Sequence, residues 1–176
     1  MAIIEIDQSG KWESSAPTVI GVDIDKKREF SSLITAPDKN TARKMLGGLE
    51  YERKQSKQRM VIRMFAFTVF LTIKDLVRDG DTIYIDNEYE GNENSIRDLL
   101  CHLFRTRLGL GIGQKSIIFT LVGKESLAHK VAHSTFCHLR NPDKKIEPSE
   151  YYRLLDKTVE IRRKAFLRRQ QRNAKR

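Results

Sequence analysis

The chain of 176 residues has few cysteines and no sign of export. Its two cysteines, Cys101 and Cys137, fall in predicted helices and lack metal-ligand spacing. Two separate thiols are typical of a reducing compartment, and a disulfide bridge is the less favoured interpretation. The first residues contain no basic segment followed by an apolar one, so we do not expect a secretion signal. These absences predict a cytoplasmic protein.

Long apolar runs are also missing. The longest, residues 64–73, is interrupted by threonines and follows Arg63. A helix that spans a bilayer needs about 20 apolar residues, so this run is too short. Past Leu167 the chain has few large apolar side chains that could enter a membrane surface. We therefore expect no membrane partner.

The chain lacks the loops that bind nucleotides or activate a serine. The glycines at 109, 111 and 113 precede a predicted strand instead of opening a helix, so they do not form a phosphate-binding loop. No serine-glycine elbow lies at a strand-to-helix turn, and Cys137 and His138 are adjacent in sequence and cannot face one another on a helix. An enzyme that acts on a small phosphorylated molecule is therefore disfavoured.

What the chain does have is positive charge. It contains 33 Lys and Arg against 23 Asp and Glu, which gives a formal net charge of +10. Residues 151–176 carry ten basic and two acidic side chains. Such an excess favours contact with the phosphate backbone of a nucleic acid, and a solvated helix end that only adds solubility is the alternative. The candidate nucleic-acid-binding residues are Arg162, Arg163, Lys164, Arg168, Arg169 and Arg172.

Apolar patterns predict one domain with five strands. A hydrophobic content of 39% suits a single core, which we place at residues 1–150, with a basic C-terminal helix and tail at 151–176. The predicted strands are 2–7, 18–25, 29–35, 82–89 and 116–122. The predicted helices are 37–46, 49–78, 91–104, 124–139 and one from Ser149, with Gly47 and Gly48 interrupting the first pair. A strand over 59–71 is the alternative to the second helix.

Two of these strands deliver an aspartate to their C-terminal end, Asp7 and Asp86. A carboxylate is costly to place beside apolar neighbours, so the matching positions favour a function. If the two strands are neighbours, their aspartates meet at one edge of the sheet. Glu88 and Glu90 alternate with Asp86 and share its strand face. An Asx-type turn at Asp7 and an exposed acidic loop after Asp86 are the alternatives.

The order of elements predicts an α/β fold with a mixed five-stranded sheet, in which three antiparallel strands lead into parallel strands and helices cover both faces. Over residues 3–139, this order and the placement of the acids resemble the ribonuclease H-like superfamily. The resemblance implies metal ligands at Asp7 and Asp86 and a third ligand from the first helix. Glu50 and Glu52 are the candidates there, and a solvated glutamate is the alternative for each.

The superfamily's last ligand comes from the helix after the fifth strand, and here the chain departs from the usual aspartate. Glu125, His129 and His133 are spaced i, i+4, i+8, which predicts that they line one helical face. A glutamate can replace aspartate as a ligand, and a histidine can bind metal or move a proton near neutral pH. Glu125 as a partner of the helix dipole is the alternative.

Together these features predict a nuclease that hydrolyses phosphodiester bonds of DNA or RNA with Mg²⁺ or Mn²⁺, because hard carboxylate oxygens suit these ions. The candidate catalytic residues are Asp7, Asp86, Glu125 and His129, and the candidate metal ligands are Asp7, Asp86, Glu50 and Glu125. A non-catalytic nucleic-acid-binding or assembly protein on the same fold is the alternative, because the late aspartate is missing.

Overall fold

The structure, a computed structural model, describes residues 1–50 and 57–155, and the side chains of residues 46–50 lie outside the described part. It has an α/β architecture built on a mixed sheet. The strands are β1 Ile3–Ser9, β2 Thr18–Ile24, β3 Arg28–Ile34, β4 Thr82–Asp86, β5 Ile117–Thr120 and β6 Lys144–Lys145. The helices are α1 Ala36–Glu50, α2 Lys57–Ile73, α3 Glu93–Leu103, α4 Leu127–Phe136 and α5 Pro148–Leu154.

The sheet has six strands in the order β5-β4-β1-β2-β3-β6, one more than the five predicted. As expected, β1, β2 and β3 are antiparallel, and β4 and β5 are parallel to β1. The extra strand β6 pairs in parallel with β3 through two residues only, in a segment for which we predicted neither a strand nor a helix. Two lysines carry no apolar alternation, so the sequence has no signal for this strand.

Helices pack on both faces of the sheet, and neighbouring serines on β3 show this directly. The hydroxyl of Ser31 accepts a hydrogen bond from Thr135 of α4 at 3.2 Å. The hydroxyl of Ser32 is hydrogen-bonded to Thr72 of α2 at 2.5 Å. Successive side chains of a strand point to opposite faces, so α4 and α2 lie on opposite sides of the sheet.

α2 is the central helix of the core, and the expectation of a helix instead of a strand here is confirmed. Every residue from Met64 to Ile73 is buried, because the sheet lies on one side of the helix and α3 packs against it. A helix that is apolar nearly all round requires such enclosure. The prediction ended α1 at residue 46, but the helix continues through Gly47 and Gly48 to Glu50.

The core extends past residue 150, where we expected the domain to end. Tyr151 of α5 is fully buried, and its ring packs edge-on against Trp12 at a centroid distance of 5.6 Å. Both side chains hydrogen-bond to Thr68 of α2, each at 2.9 Å. The start of the segment assigned to the basic tail is therefore part of the domain core.

Within residues 1–50 and 57–155, no helix has the length and apolar character needed to cross a membrane.

Candidate metal centre

The parallel pairing of β1 and β4 places two aspartates side by side on neighbouring strands. Ile6 pairs with Ile85, so the next residue on each strand, Asp7 and Asp86, lies at the same level. Side chains at matching positions of adjacent strands lie on the same face. This face is the one that α4 covers, because Asp7 contacts His129 of that helix. The expectation that the two aspartates meet at one edge of the sheet is therefore confirmed.

Three carboxylates converge at this point. Asp7, Asp86 and Glu88 each offer a ligand atom, and these atoms all lie within 4.8 Å of one another. β4 ends at Asp86, yet Glu88 still reaches the cluster because its backbone N–H donates to the carbonyl of Asp86 at 2.9 Å. We call these three residues the acidic cluster. Glu88 was expected on the same face as Asp86 but was not among the predicted ligands.

Asp7 is the most perturbed member of the acidic cluster. Its side chain is only 4% exposed. Burial and then the charge of Asp86 raise the pKa of Asp7 to about 6, and the neighbouring His129 opposes this rise. Removing a carboxylate from water and placing a like charge beside it both disfavour ionisation. A divalent cation among these oxygens would relieve both effects, so the donor set fits such an ion.

The other two carboxylates are fixed by contacts from different parts of the chain. Oδ1 of Asp86 accepts a hydrogen bond from the backbone N–H of Val122 at 2.7 Å, just beyond β5. Oε2 of Glu88 lies 3.3 Å from Nζ of Lys11, which belongs to the loop after β1. Lys11 was not predicted as a site residue, because a single lysine in a loop has no distinguishing pattern in the sequence.

α4 carries His129 to the acidic cluster. The helix begins at Leu127 after Ser126, whose hydroxyl caps the N–H of Ala128 at 3.1 Å. Within the first turn of α4, Nδ1 of His129 lies 3.2 Å from Oδ2 of Asp7. His133 follows on the same helical face, and its ring stacks on that of His129 at 6.1 Å. The predicted proximity of His129 to Asp7 is thus present.

Glu125 does not reach the acidic cluster. We expected α4 to start at Lys124, which would place Glu125 on the face of His129. Because Ser126 is the N-cap, Glu125 precedes the helix and does not follow its periodicity. Its side chain is 95% exposed, and Oε2 pairs with Nζ of Lys130 at 2.9 Å.

The remaining predicted site residues lie outside the described part of the structure. The backbone of Glu50 belongs to the end of α1, but its side chain is not described. The six basic residues between Arg162 and Arg172 fall in the undescribed segment 156–176. Their predicted roles stay predictions.

Comparisons of the chain with known protein families, with curated proteins and with solved structures found no match. The functional argument therefore depends on the site itself.

Proposed function

We propose that this protein is a divalent-metal-dependent nuclease of ribonuclease H-like fold that hydrolyses phosphodiester bonds of DNA or RNA. The observation that carries the proposal is the acidic cluster, in which Asp7, Asp86 and Glu88 offer ligand atoms within 4.8 Å of one another. The strand order is the second support, because β1 lies between antiparallel β2 and parallel β4 and presents Asp7 at the centre of the sheet.

The charge of the chain supports a polyanionic substrate. Its formal net charge is +10, and yet three carboxylates gather at one point. Three like charges repel a phosphate unless a cation lies between them. A basic protein with a local acidic site is therefore suited to a metal ion held between the carboxylates and a nucleic-acid phosphate.

In this proposal Asp7, Asp86 and Glu88 hold Mg²⁺ or Mn²⁺. When bound, the ion supplies Lewis-acid stabilisation of the negative charge that develops on the phosphate. Asp86 keeps its orientation through the N–H of Val122. Asp7 orients His129 through Nδ1, which leaves Nε2 of the imidazole as the nitrogen that accepts a proton from the attacking water.

Calorimetric titration with Mn²⁺ tests the metal site. We expect binding to the wild type and its loss in Asp86→Asn, which keeps the shape of the side chain and can still accept from Val122. Glu125→Gln is the matched control, because that carboxylate is exposed and paired with Lys130. Equal Mn²⁺ affinity in Asp86→Asn and the wild type would rule out the acidic cluster as the metal site.

Cleavage of single-stranded, duplex, hybrid and branched substrates in Mn²⁺ then tests catalysis. We expect phosphodiester hydrolysis by the wild type and a loss of at least about 100-fold in Asp86→Asn, because charge stabilisation at the reacting phosphate is removed. Metal binding without cleavage of any substrate would favour the non-catalytic alternative. That alternative has one structural support: Glu125, a predicted fourth carboxylate, lies away from the acidic cluster.

A further inference from the structure

An open pocket of about 520 Å³ borders the acidic cluster. Glu88 belongs to both, so the pocket and the acidic cluster meet at this side chain, just beyond the end of β4. The volume falls within the range of about 300–1,000 Å³ that is typical of small-molecule sites. The pocket is therefore large enough for one building block of the proposed polymeric substrate.

The walls of the pocket combine an apolar surface with carboxylates. Val61, Ile62 and the ring of Tyr89 supply the apolar surface. The Tyr89 ring is supported from the core by Phe65, at a centroid distance of 4.8 Å. Val61 and Ile62 belong to α2, and Ile62 is buried in the core. A rigid apolar wall suits a flat, apolar molecular face.

The lining includes Glu13, Glu88 and Glu90, and among the described residues that line the pocket Lys57 is the one cationic side chain. The loop that bears Glu13 is held in place by Lys39, whose buried Nζ donates to the carbonyls of Lys11 and Ala16. Phosphate is repelled by three carboxylates. The part of a nucleic acid that fits has N–H donors for the carboxylates and a flat face for the wall, and the base has both.

We propose that this pocket binds the unstacked base next to the phosphate at the acidic cluster, and that it selects guanine. The proposal rests on the function proposed above. Guanine presents two adjacent N–H donors, N1–H and the exocyclic amine, which match the two oxygens of one carboxylate, that of Glu13 or Glu90, because Glu88 belongs to the acidic cluster and pairs with Lys11. Adenine and cytosine have a ring nitrogen acceptor beside their amine, and thymine has a carbonyl on each side of its one N–H. Each of these bases would therefore place a hydrogen-bond acceptor against a carboxylate oxygen, which is repulsive. The base must be unpaired to enter, so the substrate is single-stranded at this position.

Direct binding without metal tests the pocket independently of catalysis. Labelled oligothymidylates that carry one central guanine, or one hypoxanthine in its place, are titrated with the full chain in chelator and followed by fluorescence anisotropy. The titrations are done at low ionic strength, where the net charge of +10 attracts the oligonucleotide although no cation neutralises the acidic cluster. Hypoxanthine keeps N1–H but lacks the exocyclic amine. We expect roughly tenfold tighter binding of the guanine oligonucleotide, the scale of a good two-point contact to a base edge.

The double variant Glu13→Gln, Glu90→Gln should abolish this preference. Both side chains are exposed, so the fold does not depend on their charge. Removing two negative charges will strengthen binding of every oligonucleotide. The readout is therefore the ratio of the guanine and hypoxanthine affinities. A general charge effect changes both affinities equally and leaves this ratio unchanged. Glu125→Gln is the control with an exposed carboxylate away from the pocket, and it should keep the wild-type ratio.

Three results would overturn the proposal: no binding of the guanine oligonucleotide by the wild type, equal affinity for the two oligonucleotides, or an unchanged ratio in the double variant. Failure of the nuclease proposal is distinguishable. A guanine preference in chelator without cleavage in Mn²⁺ would support the base pocket and contradict the nuclease proposal. Cleavage in Mn²⁺ without a guanine preference would support the nuclease proposal and contradict the base pocket.

Discussion

Gly21 of β2 lies directly beneath Ala132 of α4. A Cβ added to Gly21 would lie 2.6 Å from the backbone nitrogen of Ala132 and 2.8 Å from its Cβ. In the β1–β2 pairing, Gly21 is the residue opposite Asp7. The missing side chain of Gly21 therefore allows α4 to approach the sheet beside Asp7, and this approach brings His129 to within 3.2 Å of the Asp7 carboxylate.

We expect Gly21→Ala to push α4 away from the sheet and to destabilise the protein by about 1–3 kcal/mol, because backbone atoms of the helix cannot move aside independently. Urea unfolding measures this change. Gly113→Ala is the matched control, since a Cβ added at that position would have no atom within 4 Å and the φ of −90° suits alanine. Similar midpoints for the two variants would contradict a close packing of α4 on Gly21.

Asp7 should make stability depend on pH. Its pKa is raised from 3.8 to about 6 in the folded state, so the folded protein holds this proton more tightly than the unfolded chain. The contribution is present below the unfolded pKa and is lost as the pH rises through the folded pKa. In chelator, Asp7→Asn should therefore match the wild type near pH 3 and exceed its free energy of unfolding by about 3 kcal/mol at neutral pH. Urea unfolding of both proteins across this range measures the difference, and a difference that does not change with pH would contradict it.

Asp7→Asn should also remove the stabilisation that Mn²⁺ gives to the folded wild type. An ion that binds only the folded state raises the free energy of unfolding, by about 2.7 kcal/mol at 100 times the dissociation constant. We expect this rise in the wild type and not in Asp7→Asn, because the variant has lost one charged ligand. Thermal melts with and without Mn²⁺ provide the measurement. An equal shift in the two proteins would show that the ion binds elsewhere.

His129 should lower the pKa of Asp7. The positive charge of the protonated imidazole is the main effect that opposes burial and the repulsion from Asp86. His129→Gln should therefore raise the pKa of Asp7 further above its usual range, and carbon NMR of the labelled carboxyl group can follow this titration. His133→Gln is the control on the next turn of α4, which stacks on His129. Equal Asp7 titrations in the wild type and His129→Gln would exclude the ion pair.

Tyr151 should stabilise the core through its hydroxyl. Thr68 donates to the carbonyl of Met64, so its oxygen accepts from both Trp12 and Tyr151. Tyr151→Phe removes one buried hydrogen bond and should cost about 1 kcal/mol. Tyr152→Phe is the neighbouring control, because that side chain is 49% exposed and should change stability by less than about 0.5 kcal/mol. Chemical denaturation compares the two, and equal losses would contradict a specific role for Tyr151.

The sequence predicted the centre of the fold well because its signals there are local. Period-two apolar patterns indicated β1 and β4, and the position of each aspartate within its strand indicated that Asp7 and Asp86 would meet. Glu88 has the same face-sharing spacing, and its carboxylate joins the acidic cluster although β4 ends before it. Alternation and register are properties of a few consecutive residues, so they can be read from the chain directly.

The structure differs from the sequence prediction where the position of an element depends on one capping residue or on packing between distant parts of the chain. Ser126 immediately before an apolar helix is a recognisable N-cap signal, and using it would have excluded Glu125 from α4. The pairing of β6 with β3 and the contact of Trp12 with Tyr151 have no local signature. They follow from how the whole chain packs.

The contact between Trp12 and Tyr151 also governs when this chain can fold during its synthesis. Residue 12 emerges from the ribosome long before residue 151, and until then the indole has no aromatic neighbour from α5 to complete its enclosure. This contact can form only after translation has passed residue 151 and the length of chain held in the exit tunnel. A nascent chain stalled earlier should stay sensitive to protease around Trp12, and a chaperone that shields apolar segments has its longest opportunity there.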